Sequence, residues 1–142
     1  MLEGGLSIVA IEKREGIGGA WCYSDNSSIT TVMKSTCCTS STTVTEMSNF
    51  PMPKEIGMFP HSIDVRECLK SYTKNFNLMP HIQLNTSVCE VKKEGEKWHV
   101  TCSTGDTYTI AYLIVATGAH QIPNRELEKQ HSRVHREHQS CL

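Results

Sequence analysis

Hydrophobic and polar residues change their spacing several times along this chain, and each spacing predicts a different element. Ser7-Ile8-Val9-Ala10-Ile11 is a short run rich in β-branched side chains that follows Gly4-Gly5, and it reads as a buried strand entered from a turn. Val65, Leu69, Tyr72 and Phe76 recur at intervals of four, three and four, which predicts a helix from about Ile63 to Phe76 capped by Ser62. Ile82 to Leu84 and Val88 to Val91 follow as short strands. Gly95 and Gly105 then mark turns into Trp98 to Cys102 and Thr107 to Ile110. Trp98, Val100 and Cys102 fall on one face and His99 and Thr101 on the other, the period-2 signature of an antiparallel meander with one wet face. Tyr112 to Ala116 shows no alternation and so predicts a strand buried on both faces of a parallel sheet.

Two segments carry no such pattern. Residues 24 to 49 are dense in Ser and Thr, and Pro51, Pro53 and Pro60 prolong them, so they read as an irregular excursion. Beyond Pro123 the chain is Asn, Arg, Glu, Gln and His, with Leu127 and Val134 nearly the only apolar side chains before Leu142. No packed face can be built from it. The predicted organisation is one α/β domain over residues 1–123, followed by a polar, disordered tail over residues 124–142.

Composition narrows the function classes. With 14 basic against 15 acidic residues the net charge is -1, so no field draws the chain to phosphate backbones or anionic lipid, and nucleic acid is not an expected partner. The longest apolar run, Ile110 to Ala116, is far short of the ~20 residues that cross a bilayer. No membrane segment is expected. The seven cysteines include no CxxC pair, and Glu3 sits where a secretory signal would carry positive charge, so the expected compartment is cytoplasmic.

Two places carry candidate chemistry. The first strand ends in Glu12 and is followed by Gly18-Gly19. A carboxylate at the C-terminal end of a parallel strand can accept hydrogen bonds from a ribose diol, and paired glycines let backbone pass close to a ligand. A solvated strand end is the plain alternative. Val115-Ala116-Thr117-Gly118 ends the apolar strand with small residues, which suits either close approach of a cofactor or a simple tight turn.

Taken in order, the motifs resemble those of the flavin-containing monooxygenase family. Ile11-Glu12-Lys13-Arg14-Glu15-Gly16-Ile17-Gly18-Gly19-Ala20-Trp21 resembles its second-strand signature, with an aromatic residue after the double glycine. Ser48-Asn49-Phe50-Pro51-Met52-Pro53 resembles its (S)DFPxP segment. Leu69 to Leu78, then Ile82, Thr86, Val88, Trp98 and Val100, resemble its helix, strand and meander, and Val115-Ala116-Thr117-Gly118 with Pro123 resembles its ATG segment. The resemblance covers about residues 2 to 123. It implies a partial FAD-binding Rossmann-like, three-layer α/β domain with an antiparallel β-meander insertion. It also implies an NADPH-dependent enzyme that uses FAD and oxygen to oxygenate the nitrogen or sulfur of small amines or sulfides. Carried over by position, Glu12 and Lys13 lie at the adenosine ribose, Gly19, Ala20 and Trp21 along the FAD, and Val88 meets adenine through its backbone. Ala116, Thr117 and Gly118 pass near the diphosphate. Trp21 is also a candidate core aromatic.

The chain departs from the family in three ways. It has no GxGxxG, the glycine loop whose following helix binds the FAD pyrophosphate, and this predicts very weak FAD binding and an inactive chain. Leu2 to Gly5 matches the end of the helix that follows that loop, so a central strand is lacking and its neighbours are expected to expose apolar surface. Where the family has an asparagine near flavin and nicotinamide, counting back from Phe50 places Cys38 or Thr39. The NADP-binding domain expected beyond Pro123 is not in this sequence. Some relatives associate with the endoplasmic reticulum through a C-terminal segment, also not in this sequence. His131, His135, His138 and Cys141 share helical spacing, but no apolar stripe would hold such a helix, and no metal is placed there. The alternative reading is a truncated, non-catalytic protein with at most weak nucleotide binding; a disulfide reductase is disfavoured by the lack of CxxC.

Overall fold

A computed structural model describes residues 5–26 and 31–118. The tail 124–142, with its histidines, and Pro123 lie outside the described residues. The fold is α/β: strand β1 (Ala10–Ile11), a one-turn helix α1 (Thr42–Thr45), helix α2 (Ser62–Asn75), then β2 (Ile82–Gln83), β3 (Val88–Glu94), β4 (Lys97–Cys102) and β5 (Thr107–Ile110). β1 pairs in parallel with β2, and β3, β4 and β5 form a separate antiparallel meander.

Helix α2 covers the expected span, but its cap is one residue earlier than expected. His61 holds the extended N-cap conformation, and the Asp64 carboxylate accepts its backbone N–H at 2.8 Å. That is the return half of a capping box, and it leaves Ser62 as the first helical residue, buried against the core. The helix buries Val65 and Cys68 against Met52, with Trp21, Cys38, Met47, Phe50, Ile56 and Leu69 packed around them. Each fully buried aliphatic side chain of this kind stabilises by roughly 1.5–3 kcal/mol. Phe50 meets Tyr72 edge-on at 5.6 Å, and Tyr72 lies 4.5 Å from Phe76. The Phe-Pro-Met-Pro segment is thus the lid over the helix stripe, with Met52 as its plug.

The excursion through residues 24–49 is not wholly irregular. Ser41 to Glu46 closes one helical turn, and isolated bridges join Cys37 to His61 and Met47 to Phe50. Cys38 N–H donates to Pro60 O at 2.8 Å and Thr42 N–H to Met58 O at 2.8 Å, so the segment is laced to the approach of α2.

The meander follows its sequence pattern. Val100 and Cys102 are each 3% exposed, while His99 and Thr109 hydrogen-bond on the opposite face at 3.1 Å. The turns at Gly95 and Gly105 use φ +60° and +90°. A left-handed backbone there is open to glycine at no steric cost.

The two apolar runs expected to be buried parallel strands are corrected. Only Ala10 and Ile11 of the run 7–11 enter a ladder, and Leu6, Ile8 and Val9 are exposed. Residues 112–116 form no strand, and Tyr112, Ile114 and Val115 are exposed, Ile114 at 88%. A strand is stable only when its N–H and C=O groups meet a neighbour, and among the described residues β1 has a neighbour on one side only while residues 112–116 pair with no strand.

Candidate nucleotide-binding edge

β1 delivers Glu12 to the C-terminal edge of the short parallel sheet. Its N–H donates to Gln83 O at 2.8 Å, extending the ladder by one bond, and its C=O accepts Thr86 N–H at 3.0 Å. Glu12 Oε1 accepts the backbone N–H of Arg14 at 2.8 Å. Among the described residues no hydrogen bond occupies Glu12 Oε2, so the carboxylate keeps acceptor capacity on an open strand edge. Arg14 in turn receives Asn85 N–H on its carbonyl at 2.9 Å and places its guanidinium on Gly19 O at 2.6 Å. The backbone therefore ties together the acidic strand end, the glycine turn and the connection leading into β3.

The two glycines act differently. Gly18 has φ +125°, and a Cβ there would stand 2.8 Å from Cys22 Sγ and 3.0 Å from Arg66 Cγ, so its bareness admits α2. Gly19 has φ +51° and opens a 3-10 turn, Gly19–Trp21, with nothing within 4 Å of where a Cβ would be. Space beside Gly19 is free for a ligand; space beside Gly18 is filled by protein.

The structure separates the other sequence-derived candidates. Lys13 and Ala20 are exposed near Glu12 and Gly19, whereas Trp21 is half-buried and packs on the Met52, Val65 and Cys68 cluster. Of the two residues at the family's asparagine position, Cys38 packs on that cluster and Thr39 faces solvent. Val88 begins β3 at an irregularity of the ladder, two residues after Thr86, whose N–H bonds Glu12. Glu12 and the start of the meander are thus brought together. Ala116, Thr117 and Gly118 are exposed and belong to no strand. Sequence reasoning passed over Arg14 and Asn85; the Glu-Lys-Arg run and an asparagine, a residue that tolerates the left-handed backbone it takes here at φ +54°, were the available signals.

Among the described residues no group of three or more metal-ligating side chains converges, and no helix is long and apolar enough to cross a membrane. Gln83 Oε1, on the strand beside Glu12, is buried without a hydrogen-bond partner. A hydroxyl-bearing ligand at this edge is one kind of donor that would satisfy it.

Comparison with known proteins identifies the family. The profile of the flavin-binding monooxygenase-like family matches residues 1–132. Flavin-containing monooxygenase 5 of Rattus norvegicus is 32% identical over 137 residues, covering 89% of this chain and 26% of the relative. The chain thus spans about a quarter of the length of that curated relative. Among solved structures, a flavin-containing monooxygenase from Stenotrophomonas maltophilia superposes with a TM-score of 0.68 at 25% identity, over 80% of this chain and 32% of that one. S-allyl-L-cysteine S-oxygenase from Allium sativum superposes with a TM-score of 0.69 at 22% identity over 78% of this chain and 30% of that one, a likeness of fold. A family match across nearly the whole sequence, on the segments that hold Glu12, Gly19 and the meander, means that this chain belongs to the flavin-binding monooxygenase-like family.

Proposed function

We propose that this chain supplies the adenosine-side part of an FAD site in a flavin-dependent, NADPH-using monooxygenase acting on the nitrogen or sulfur of small amines and sulfides. The observation that carries this reading is Glu12 at the C-terminal end of the parallel strand pair, with one carboxylate oxygen held by Arg14 N–H and, among the described residues, no hydrogen bond on the other, which leaves it for a ribose hydroxyl. Residues 1–123 form the cofactor-binding unit in this reading, and residues 124–142 lie outside it. Glu12 and Lys13 would hold the ribose, Gly19 and Ala20 would offer bare backbone, and Val88 would meet adenine through its main chain. Trp21 would support the turn from the core side, Thr39 would face the redox end, and Ala116, Thr117 and Gly118 would flank the diphosphate. Bound FAD supplies the redox chemistry, while the protein's share is orientation and exclusion of water.

The residues present fit one end of FAD. The Asp64 carboxylate stands at the N-terminus of α2 and accepts the His61 N–H, so negative charge already occupies the place a pyrophosphate would take, and the sequence has no GxGxxG. FAD is therefore expected to bind weakly to the chain by itself, without NADPH oxidation. Solvent exposure of Ile8, Val9, Ile114 and Val115 favours a second reading, a non-catalytic product that binds nucleotide poorly and stays in the cytoplasm.

An FAD titration followed by thermal melting separates the two. A ligand bound only by the folded state raises its stability with concentration. The first reading expects the melting temperature to rise toward about 1 mM FAD in the wild-type chain and to rise less in Glu12→Gln. No rise in either chain would leave the second reading.

A further inference from the structure

The β3–β4 ladder contains a bulge, and its register assigns faces to two cysteines. Val88 pairs with Cys102 and Glu90 with Thr101, so Cys89 is the extra residue between them. Farther along, Val91 faces Val100 and Lys93 faces Trp98, with the Lys93 ammonium 5.3 Å from the Trp98 ring centroid, so these share the face on which Val100 and Cys102 are sheltered. Counting back from Val91 by alternation puts Cys89 on that face, and pairing with Cys102 puts Val88 there too. An extra residue at a bulge lets two side chains crowd one partner, and here Cys89 stands next to the paired Val88 and close enough to Cys102 to act on it electrostatically. Facing residues of antiparallel strands lie about 4.5–5.5 Å apart at Cα, within the roughly 4.4–6.8 Å that a disulfide spans. Ser87 and Ser103 hold the ladder closed on the far side of the bulge, with N–H to O at 2.8 Å and N–H to Oγ at 3.0 Å.

We propose that Cys89 and Cys102 are a peroxide-sensitive thiol pair that closes to a cross-strand disulfide on the sheltered face of the bulge. Both thiols are free in the structure, and they differ in access: Cys89 is exposed and Cys102 is 3% exposed. Hydrogen peroxide oxidises the Cys89 sulfur to a sulfenic acid, releasing one water. The Cys102 sulfur then attacks the Cys89 sulfur, the S–O bond breaks, and a second water leaves with the Cys102 proton. Two thiols and one peroxide thus become one disulfide and two waters. Burial, with Asp106 and Cys89 nearby, pushes the Cys102 thiol up, which slows its own direct reaction with peroxide and leaves the exposed Cys89 as the first to be oxidised. This inference goes beyond the cofactor reading and does not depend on it.

The test treats the purified full chain with hydrogen peroxide, alkylates the remaining thiols and maps tryptic peptides by mass. Cleavage after Lys74, Lys92 and Lys97 leaves Cys89 in peptide 75–92 and Cys102 in peptide 98–125. The expected product joins these two peptides with the loss of two hydrogens, forms under native conditions, and is diluted among other pairings in urea. Cys89→Ser should fold, abolish the joined peptide and leave Cys102 open to alkylation after unfolding. Cys89 overoxidised or paired with another cysteine, with Cys102 still alkylated in the native-state experiment, would overturn the proposal.

Discussion

Helix α2 is built from more polar sequence than the apolar runs at 7–11 and 112–116, yet it is packed and they are bare. Val65 and Cys68 are buried beneath Met52 and Phe50, whereas Ile8, Val9, Ile114 and Val115 face solvent. A helix completes its own backbone hydrogen bonds and needs only a lid for one stripe. Buried parallel strands need partners on both sides and cover on both faces. The difference teaches that hydrophobicity selects residues for burial, but the number of neighbours a backbone requires decides whether burial is reached.

Substitutions can break this comparison in a graded order. Met52→Ala removes the plug over α2 and should cost about 2–4 kcal/mol in urea unfolding, because the cavity left among Val65, Cys68 and Phe50 cannot refill. Gly18→Ala should come next, at about 1–3 kcal/mol, since its φ of +125° and the 2.8 Å approach to Cys22 Sγ both oppose a side chain. Gly19→Ala meets open space and pays only for its left-handed backbone, about 1 kcal/mol. If the two glycine variants unfold at the same urea concentration, the assignment of Gly18 as the contact point of α2 is wrong.

On the bare side, Ile114→Lys should change unfolding free energy by no more than about 0.5 kcal/mol while reducing aggregation measured by light scattering. A large loss of stability would mean that residue 114 is covered in solution. The smallest effect is expected at Glu67, whose carboxyl is held below its usual range by Lys70 and then Arg66, each 3.0 Å away. A lowered carboxyl pKa adds stability that is present above the ordinary value and lost as pH falls through the lowered one. Glu67→Gln should therefore cost about 0.2–0.5 kcal/mol at pH 7, less in high salt, and nothing once acid protonates the wild-type group.

Much of this was legible from local spacing. The intervals among Val65, Leu69, Tyr72 and Phe76 located α2, and the alternation from Trp98 to Cys102 with Gly95 and Gly105 located the meander, because both patterns repeat within one element. The family motifs brought Glu12, Gly19 and Val88 into consideration before any coordinates. Less legible was the division of labour among neighbours. That Trp21 and Cys38 turn to the core while Gly19 and Thr39 do not depends on which side α2 packs, and α2 lies more than twenty residues away in sequence.

The sequence by itself determined the helix, the meander, the glycine turns and the family, since each rests on hydrogen bonds or motifs closed over a short span. Tertiary structure alone decided the rest. It docked the Ser62 N–H at the start of α2 on Thr36 O, gave Gly18 to α2 and Gly19 to open space, and left Cys89 beside the Val88–Cys102 pair in a bulge that no local pattern announces. It also denied residues 7–9 and 112–116 the strands their composition predicted. A strand is a relation between segments, and its existence depends on a neighbour's backbone as much as on its own side chains.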